Sequence, residues 1–126
     1  MVVLGVAIAT VASFIASAAL YAVPRVAAVV ASASTPRPGI PVPMQMAAVL
    51  LRSLLVAALV AGLLIAAGWS GAAAGAVLGL ALAVLPAVLL MGAVIHENVP
   101  IPVAAIHLLD WAIKLVLIGA IVGVFA

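Results

Sequence analysis

Long apolar stretches, broken only by short polar segments, constrain this chain more than any other feature. Apolar residues make up 71% of its 126 residues and charged residues only 5%. Soluble domains carry about 25% charged residues, whereas a helix crosses a bilayer with about 20 consecutive apolar ones. The composition therefore predicts an integral membrane protein that has the lipid bilayer as a partner. It excludes a soluble enzyme, a nucleic-acid-binding module and a disordered tail.

The breaks between the apolar stretches predict an all-α fold, a bundle of four antiparallel transmembrane helices in a single domain, 1–126. The expected helices cover residues about 1–31, 46–67, 71–95 and 103–125, with a Pro-rich aqueous loop at 32–45. Pro24 and Pro86 predict kinks within the first and third helices. The first stretch is longer than the apolar core of a signal peptide, about 7–15 residues, and no basic residue precedes it, so we expect a retained helix.

The basic residues predict the orientation of the bundle. Arg25 and Arg37 lie in the first loop, and Arg52 lies in the half of the second helix next to that loop. Because cytoplasmic loops carry an excess of Lys and Arg, we expect the first and third loops in the cytoplasm and both termini outside. The Ala-, Val-, Leu- and Gly-rich composition favours a bacterial protein, and hence a multi-pass protein of the inner membrane.

Costly polar residues concentrate in the cytoplasmic half of the predicted bundle. At about 100° per residue, His107, Asp110 and Lys114 fall within about 60° of arc, on one face of the fourth helix. Tyr21 closes a polar stripe on the first helix, and Arg52 enters to about the depth of Asp110. A charge at the bilayer centre costs about 2.5–3.5 kcal/mol. We therefore expect Asp110 to pair with Lys114 and, across helices, with Arg52.

Two interpretations of this predicted cluster remain open. In the first, the cluster is a buried ion-pair group that only fixes helix register. In the second, it is a polar pocket, open to the cytoplasm, in which Asp110 or His107 exchanges protons or contacts a ligand. At the cytoplasmic edge lie Arg25, His96 and Glu97, and Glu97 is placed to pair with Arg25 or with Arg52.

The sequence predicts no cofactor, no metal site and no enzymatic activity. His96 and His107 are the minimum for a bis-His haem site, but His96 lies at the membrane edge and nothing else indicates a porphyrin pocket. The His and carboxylate residues lack the spacing of a zinc site, and cysteine is absent. There is no phosphate-binding loop, dinucleotide fingerprint or nucleophile elbow.

Glycines at four-residue spacing predict close helix contacts. The motifs are formed by Gly71, Gly75 and Gly79 in the third helix and by Gly119 and Gly123 in the fourth. Small residues at this spacing let membrane helices approach closely, either within the bundle or against another subunit. Trp111, next to Asp110, needs an acceptor for its indole N–H, and we expect Asp110 or a hydroxyl of the first helix to provide it.

Several segments resemble the bacterial DUF1761 family of small proteins with four membrane helices. The resemblance lies in Ala19-Leu20-Tyr21-Ala22-Val23-Pro24, in Val94-Ile95-His96-Glu97, in Ile106-His107-Leu108-Leu109-Asp110-Trp111 and in Leu117-Ile118-Gly119-Ala120-Ile121-Val122-Gly123. The chain departs from that family's pattern in lacking a Trp beside Tyr21 and in carrying Lys114. The resemblance implies fold and location and transfers no catalytic residue.

These features favour a small accessory or homo-oligomeric membrane protein without catalytic activity, in which the partner is a second copy or a larger membrane complex. The alternative is a minimal proton- or ion-coupled transporter or channel that uses the predicted cluster. Small multidrug transporters have a similar length but rely on a carboxylate in the first helix, which here has no acid. A further alternative is a holin-like pore former.

Overall fold

The computed structural model describes residues 1–126 and is entirely helical. The helices are α1 (Val2–Ala22), α2 (Pro24–Ala31), α3 (Val42–Ala67), α4 (Ala72–Leu82), α5 (Val84–His96) and α6 (Ile101–Phe125). By length and composition, α1, α3, the continuous α4–α5 segment and α6 are each able to cross a membrane. The predicted all-α fold with four candidate membrane spans is confirmed.

Prolines divide two of the predicted helices. Residues 1–31 form two helices rather than one, because Val23 adopts an extended conformation and Pro24 occupies the first turn of α2. The third span breaks at Ala83, just before Pro86. A proline inside a helix removes one backbone donor and clashes with the carbonyl one turn earlier. Both breaks lie where the sequence predicted kinks.

The second membrane helix begins earlier than predicted. α3 starts at Val42 rather than at residue 46, with Pro41 as its N-cap and proline in its first turn. The first helical N–H groups have no intrahelical acceptor, so proline costs little at these positions. The loop predicted at 32–45 therefore ends at residue 41. The Gln45 side chain donates a hydrogen bond to the Ile40 carbonyl (3.0 Å), which fastens the end of this loop to α3.

Glycine contacts hold α4 against α6. A Cβ built at Gly75 would meet the Gly119 carbonyl oxygen, and one at Gly79 would meet the Leu115 carbonyl oxygen. The Gly71 N–H donates to the Gly123 carbonyl at 2.7 Å. As residue numbers rise along α4 they fall along α6, so these helices are antiparallel. The structure thus uses all five glycines of the predicted motifs within one chain.

The central helix of the bundle is α6, which contacts α1, α3, α4 and α5. A small apolar core joins α1, α3 and α6; it consists of Ala9, Ala57, Val60, Ala61, Leu64, Ile118 and Val122. Gly5 lies against Phe125, so both chain termini are at the same end of the bundle. At the opposite end, beside the first and third loops, the Cα atoms of α3 and α5 do not come within 8 Å of each other. The separation of these two helices leaves room for a cavity.

Candidate functional site

One face of α6 contributes an ion pair to the wall of the cavity. Asp110 and Lys114 are one turn apart, and their Oδ2 and Nζ atoms are 3.2 Å from each other. Both residues are buried, with exposures of only 6% and 4%. Because a buried charge is costly unless it is paired, each side chain stabilises the charge of the other. This is the pairing within α6 that the sequence predicted.

Tyr21 connects α1 to this ion pair. Its hydroxyl oxygen lies 2.7 Å from Nδ1 of His107 and donates a longer hydrogen bond of 3.5 Å to Oδ2 of Asp110. A phenol has a single proton. Both contacts are satisfied together when the His107 Nδ1–H donates to Tyr21 and the Tyr21 O–H donates to Asp110. The four side chains Tyr21, His107, Asp110 and Lys114 are hereafter called the polar network.

Arg52 reaches the same region but does not pair with Asp110, so the pairing expected from the sequence is wrong. The carboxylate pairs with Lys114 of its own helix, and the Arg52 guanidinium lies over the Trp111 ring, 5.3 Å from its centroid. The Lys114 ammonium is 5.1 Å from the same ring. A tryptophan face attracts cations through its quadrupole. Trp111 therefore positions two cations, while the hydrogen bond predicted for its indole N–H is not formed.

A cavity of about 870 Å³ adjoins the polar network. Its walls come from the end of α1, the loop after α2, the first half of α3 and the first half of α6, with Leu90 as the contribution of α5. Tyr21, His107, Asp110 and Lys114 all line it. Small-molecule sites occupy about 300–1,000 Å³, so the cavity is large enough for a ligand.

Cations outnumber anions on the cavity wall. Arg37, Arg52 and Lys114 line the cavity, whereas Asp110 is its single carboxylate. The other acid, Glu97, is exposed outside the cavity and forms no ion pair, so its predicted pairing with Arg25 or Arg52 is wrong. After Lys114 has paired with Asp110, the two arginines remain without a carboxylate partner.

The remaining predicted site residues lie outside the polar network. Arg25 and His96 are exposed and line no part of the cavity. On the α1 stripe, Thr10 and Ser13 donate hydrogen bonds to carbonyl groups of their own helix, at 2.7 and 3.1 Å. Ser17 is buried and contributes to the cavity wall. The hydroxyls of Thr10 and Ser13 therefore have their hydrogen-bond acceptors within α1 and do not extend the polar network.

Sequence reasoning missed the contribution of the first loop. The loop was interpreted as an aqueous connection, yet Thr35, Arg37 and Ile40 line the cavity together with Gln45 of α3. A basic residue between two prolines, Pro36 and Pro38, was the available signal, because prolines restrict the backbone and thereby hold a side chain in place.

Comparison with known proteins identifies a family. The family model described as Protein of unknown function (DUF1761) matches residues 4–123, which confirms the resemblance seen in the sequence. No curated protein matches the chain. No solved structure matches it.

Proposed function

We propose that this chain, which belongs to the DUF1761 family, binds a small solute in the cavity and couples that binding to protons or ions, as a minimal carrier or channel would. The observation that carries this proposal is the polar network on the wall of a cavity of about 870 Å³. Ionisable residues within membrane spans mark substrate pathways and proton relays. An ion pair that only fixes helix register needs no cavity beside it.

The arrangement supports coupling through Asp110. Its carboxylate is shared by the Lys114 ammonium and the Tyr21 hydroxyl, and Tyr21 in turn contacts His107. The other charged groups of the cavity lining are Arg52 of α3 and Arg37 of the first loop, whereas α5 contributes an apolar side chain. Protonation of Asp110 would leave the Lys114 ammonium unpaired and facing the cavity. A change in proton occupancy would therefore change the charge that a bound solute meets.

The basic residues support a cytoplasmic opening for the cavity. Arg25, Arg37 and Arg52 all lie at the end of the bundle where the cavity is found, and the excess of basic residues on the cytoplasmic side favours this end inside. Both termini would then be outside the bacterial inner membrane. Because the chain has no cysteine, Thr35→Cys and Ser70→Cys give single labels at opposite ends. A membrane-impermeant maleimide should label only Ser70→Cys in intact cells, and the reverse pattern would contradict this orientation.

Trp111 provides a direct test of the coupling. The chain has two tryptophans, and Trp69 lies in the turn at the other end of the bundle, so Trp69→Phe leaves Trp111 as the sole reporter in the cavity. In proteoliposomes of this variant, we expect Trp111 fluorescence to respond to pH, because protonation of Asp110 would release the Lys114 ammonium that lies 5.1 Å from the Trp111 ring. Adding Asp110→Asn should remove or displace this response.

A matched variant separates coupling from folding. Asp110→Asn keeps the shape of the side chain, and His96→Gln removes a titratable group that lies outside the cavity. We expect His96→Gln to leave the pH response of Trp111 unchanged. A helical, folded protein in which the Trp111 signal is independent of pH, or in which both variants alter it equally, would contradict the proposed coupling. Proton flux into proteoliposomes that contain a pH-sensitive dye then distinguishes a carrier or channel from a binding protein.

A second candidate, an accessory or homo-oligomeric role without catalytic activity, is favoured by the α4–α5 segment. In an apolar 18-residue stretch of this segment, only 11% is buried within the chain, compared with 39% for the corresponding stretch of α6. Gly92 on α5 has no neighbour where a Cβ would lie, so a partner helix could approach there. Native mass measurement of the protein extracted in mild detergent tests this role. A stoichiometric partner subunit or a defined homo-oligomer would support it, and a monomer would contradict it.

A further inference from the structure

Two arginines face the cavity without an acidic partner. Arg37 and Arg52 line it, and neither forms a salt bridge. The only carboxylate of the cavity, Asp110, is already paired with Lys114. Both arginines are exposed, so they are accessible to a ligand. They give the cavity an excess of positive charge that favours a bound anion.

The Arg52 side chain and the backbone that carries Arg37 are positioned in advance. The Arg52 guanidinium lies over the Trp111 ring at 5.3 Å, which restricts its orientation. Arg37 stands between two prolines in a loop that the Gln45 side chain ties to α3. A guanidinium presents a planar fork of N–H donors that matches the oxygens of phosphate and carboxylate groups. Side chains that are already ordered lose less entropy when they bind such a group.

The shape of the cavity suits a ligand larger than a bare ion. Its volume of about 870 Å³ far exceeds what a single phosphate group fills. The lining also includes apolar side chains, among them Val49 of α3 and Leu90 of α5. The Cα atoms of α3 and α5 do not come within 8 Å of each other, so these two side chains belong to separated helices.

We propose that the cavity binds a phosphate-type oxyanion through Arg37 and Arg52, with an apolar portion of the ligand along Val49 and Leu90. This inference rests on the proposed solute-binding function and names the chemistry of its solute. The oxyanion belongs either to the head group of an anionic lipid that enters between α3 and α5 or to a soluble phosphate compound that enters from the aqueous end. The geometry of the two guanidinium groups is common to both.

The test uses the full chain with Trp69→Phe, so that Trp111 reports on the cavity. The protein is placed in phosphatidylcholine nanodiscs and titrated separately with phosphatidylglycerol and with inorganic phosphate, and native mass spectrometry detects retained lipid. We expect at least one of these probes to change Trp111 fluorescence with saturation. Binding of phosphatidylglycerol alone identifies a lipid source, and binding of phosphate identifies a soluble one; both outcomes support the oxyanion site.

Three variants make the test specific. Arg52→Gln and Arg37→Gln should each weaken binding about tenfold or more, the usual consequence of losing a charge-assisted hydrogen bond. Arg25→Gln is the matched control, because Arg25 lies at the same end of the bundle but lines no part of the cavity. Its effect should stay below about twofold, since only surface attraction is reduced. Arg37 lies in a loop outside every helix, so its variant remains informative if Arg52→Gln fails to fold.

Two outcomes would overturn the oxyanion site. One is that neither probe binds at all; the other is that Arg25→Gln weakens binding as much as Arg37→Gln does. These outcomes are distinguishable from failure of the proposed function. A Trp111 response to pH that persists while neither probe binds refutes the oxyanion alone. Oxyanion binding combined with a pH-independent Trp111 signal refutes the proton coupling alone.

Discussion

Removing Lys114 should strongly destabilise the protein. In Lys114→Met the apolar stem of the side chain is retained, but the ammonium that lies 3.2 Å from Asp110 Oδ2 is lost. Asp110 is only 6% exposed, so water replaces the missing cation poorly. The Tyr21 hydroxyl remains as a donor to this carboxylate, although at 3.5 Å it is a long contact. The variant therefore leaves a buried and poorly compensated negative charge.

Two independent energy ranges indicate how much the free energy of unfolding should fall in Lys114→Met. Breaking a buried ion pair by removing one partner costs about 3–5 kcal/mol, and a single charge at the bilayer centre costs about 2.5–3.5 kcal/mol. Because Tyr21 still donates to Asp110, we expect the lower part of the first range. The free energy of unfolding of Lys114→Met should thus fall by about 3 kcal/mol. Removing both charges in Asp110→Asn/Lys114→Met should restore most of this loss, since an uncharged pair has no charge to desolvate.

The measurement is a double-mutant cycle on unfolding in mixed detergent micelles. Helicity is followed while the fraction of denaturing detergent rises, for the wild-type chain, both single variants and the double variant. A coupling of about 2 kcal/mol or more between Asp110 and Lys114 is expected, as for side chains in direct contact. Two results would contradict this reasoning. One is a loss of less than about 1 kcal/mol in Lys114→Met, the value of an exposed pair, and the other is a double variant whose effect equals the sum of the single effects. In either case Asp110 and Lys114 do not stabilise each other's charge as the structure indicates.

Three further predictions follow from other parts of the bundle. Gly119→Ala should lower the free energy of unfolding by about 1–3 kcal/mol, because the new methyl group meets a backbone carbonyl of α4. Gly62→Ala, with open space around it, should change this free energy little. The same detergent titration measures both variants. Tyr21→Phe removes the 2.7 Å contact with Nδ1 of His107, so nitrogen NMR of the imidazole should show a changed tautomer ratio, and an unchanged ratio would contradict the hydrogen bond. Ser53→Ala should be neutral or stabilising, because the buried Ser53 hydroxyl has no hydrogen-bond partner; a loss above about 1 kcal/mol would show that this hydroxyl makes a hydrogen bond.

The parts of the site that follow from helical periodicity were predictable from the sequence. His107, Asp110 and Lys114 share one face of α6 because their spacing of three and four residues is close to the helical repeat. The cost of a buried charge then predicted that Asp110 pairs with Lys114, and the structure confirms this one of its two predicted partners. The glycine contacts followed from the same regularity, because glycines one turn apart form a continuous flat face on a helix. Neither inference needed the relative positions of two helices to be known.

Partner choice between helices was not predictable in the same way. Arg52 was placed at the depth of Asp110 by counting residues, and its depth was sufficient for an ion pair. The sequence does not show which side of α3 faces α6, nor in which direction the long Arg52 side chain points. In the structure its guanidinium lies over the Trp111 face, which attracts cations, and forms no ion pair with Asp110. The error in predicting Arg52 therefore concerns the direction of a side chain, which a residue count does not give.

The cavity itself depends on two features that hydropathy conceals. Prolines were interpreted as breaking structure, yet Pro41 and its neighbours begin α3 earlier than expected, because the first helical turn needs no backbone donor. The shorter loop is consequently held close to the bundle, and Arg37 is brought over the cavity. Apolar composition, in turn, gives α3 and α5 the same appearance in the sequence whether they pack together or face lipid. The separation of these helices and a segment expected to be an aqueous loop thus both contribute to the cavity whose lining includes Arg37 and Arg52.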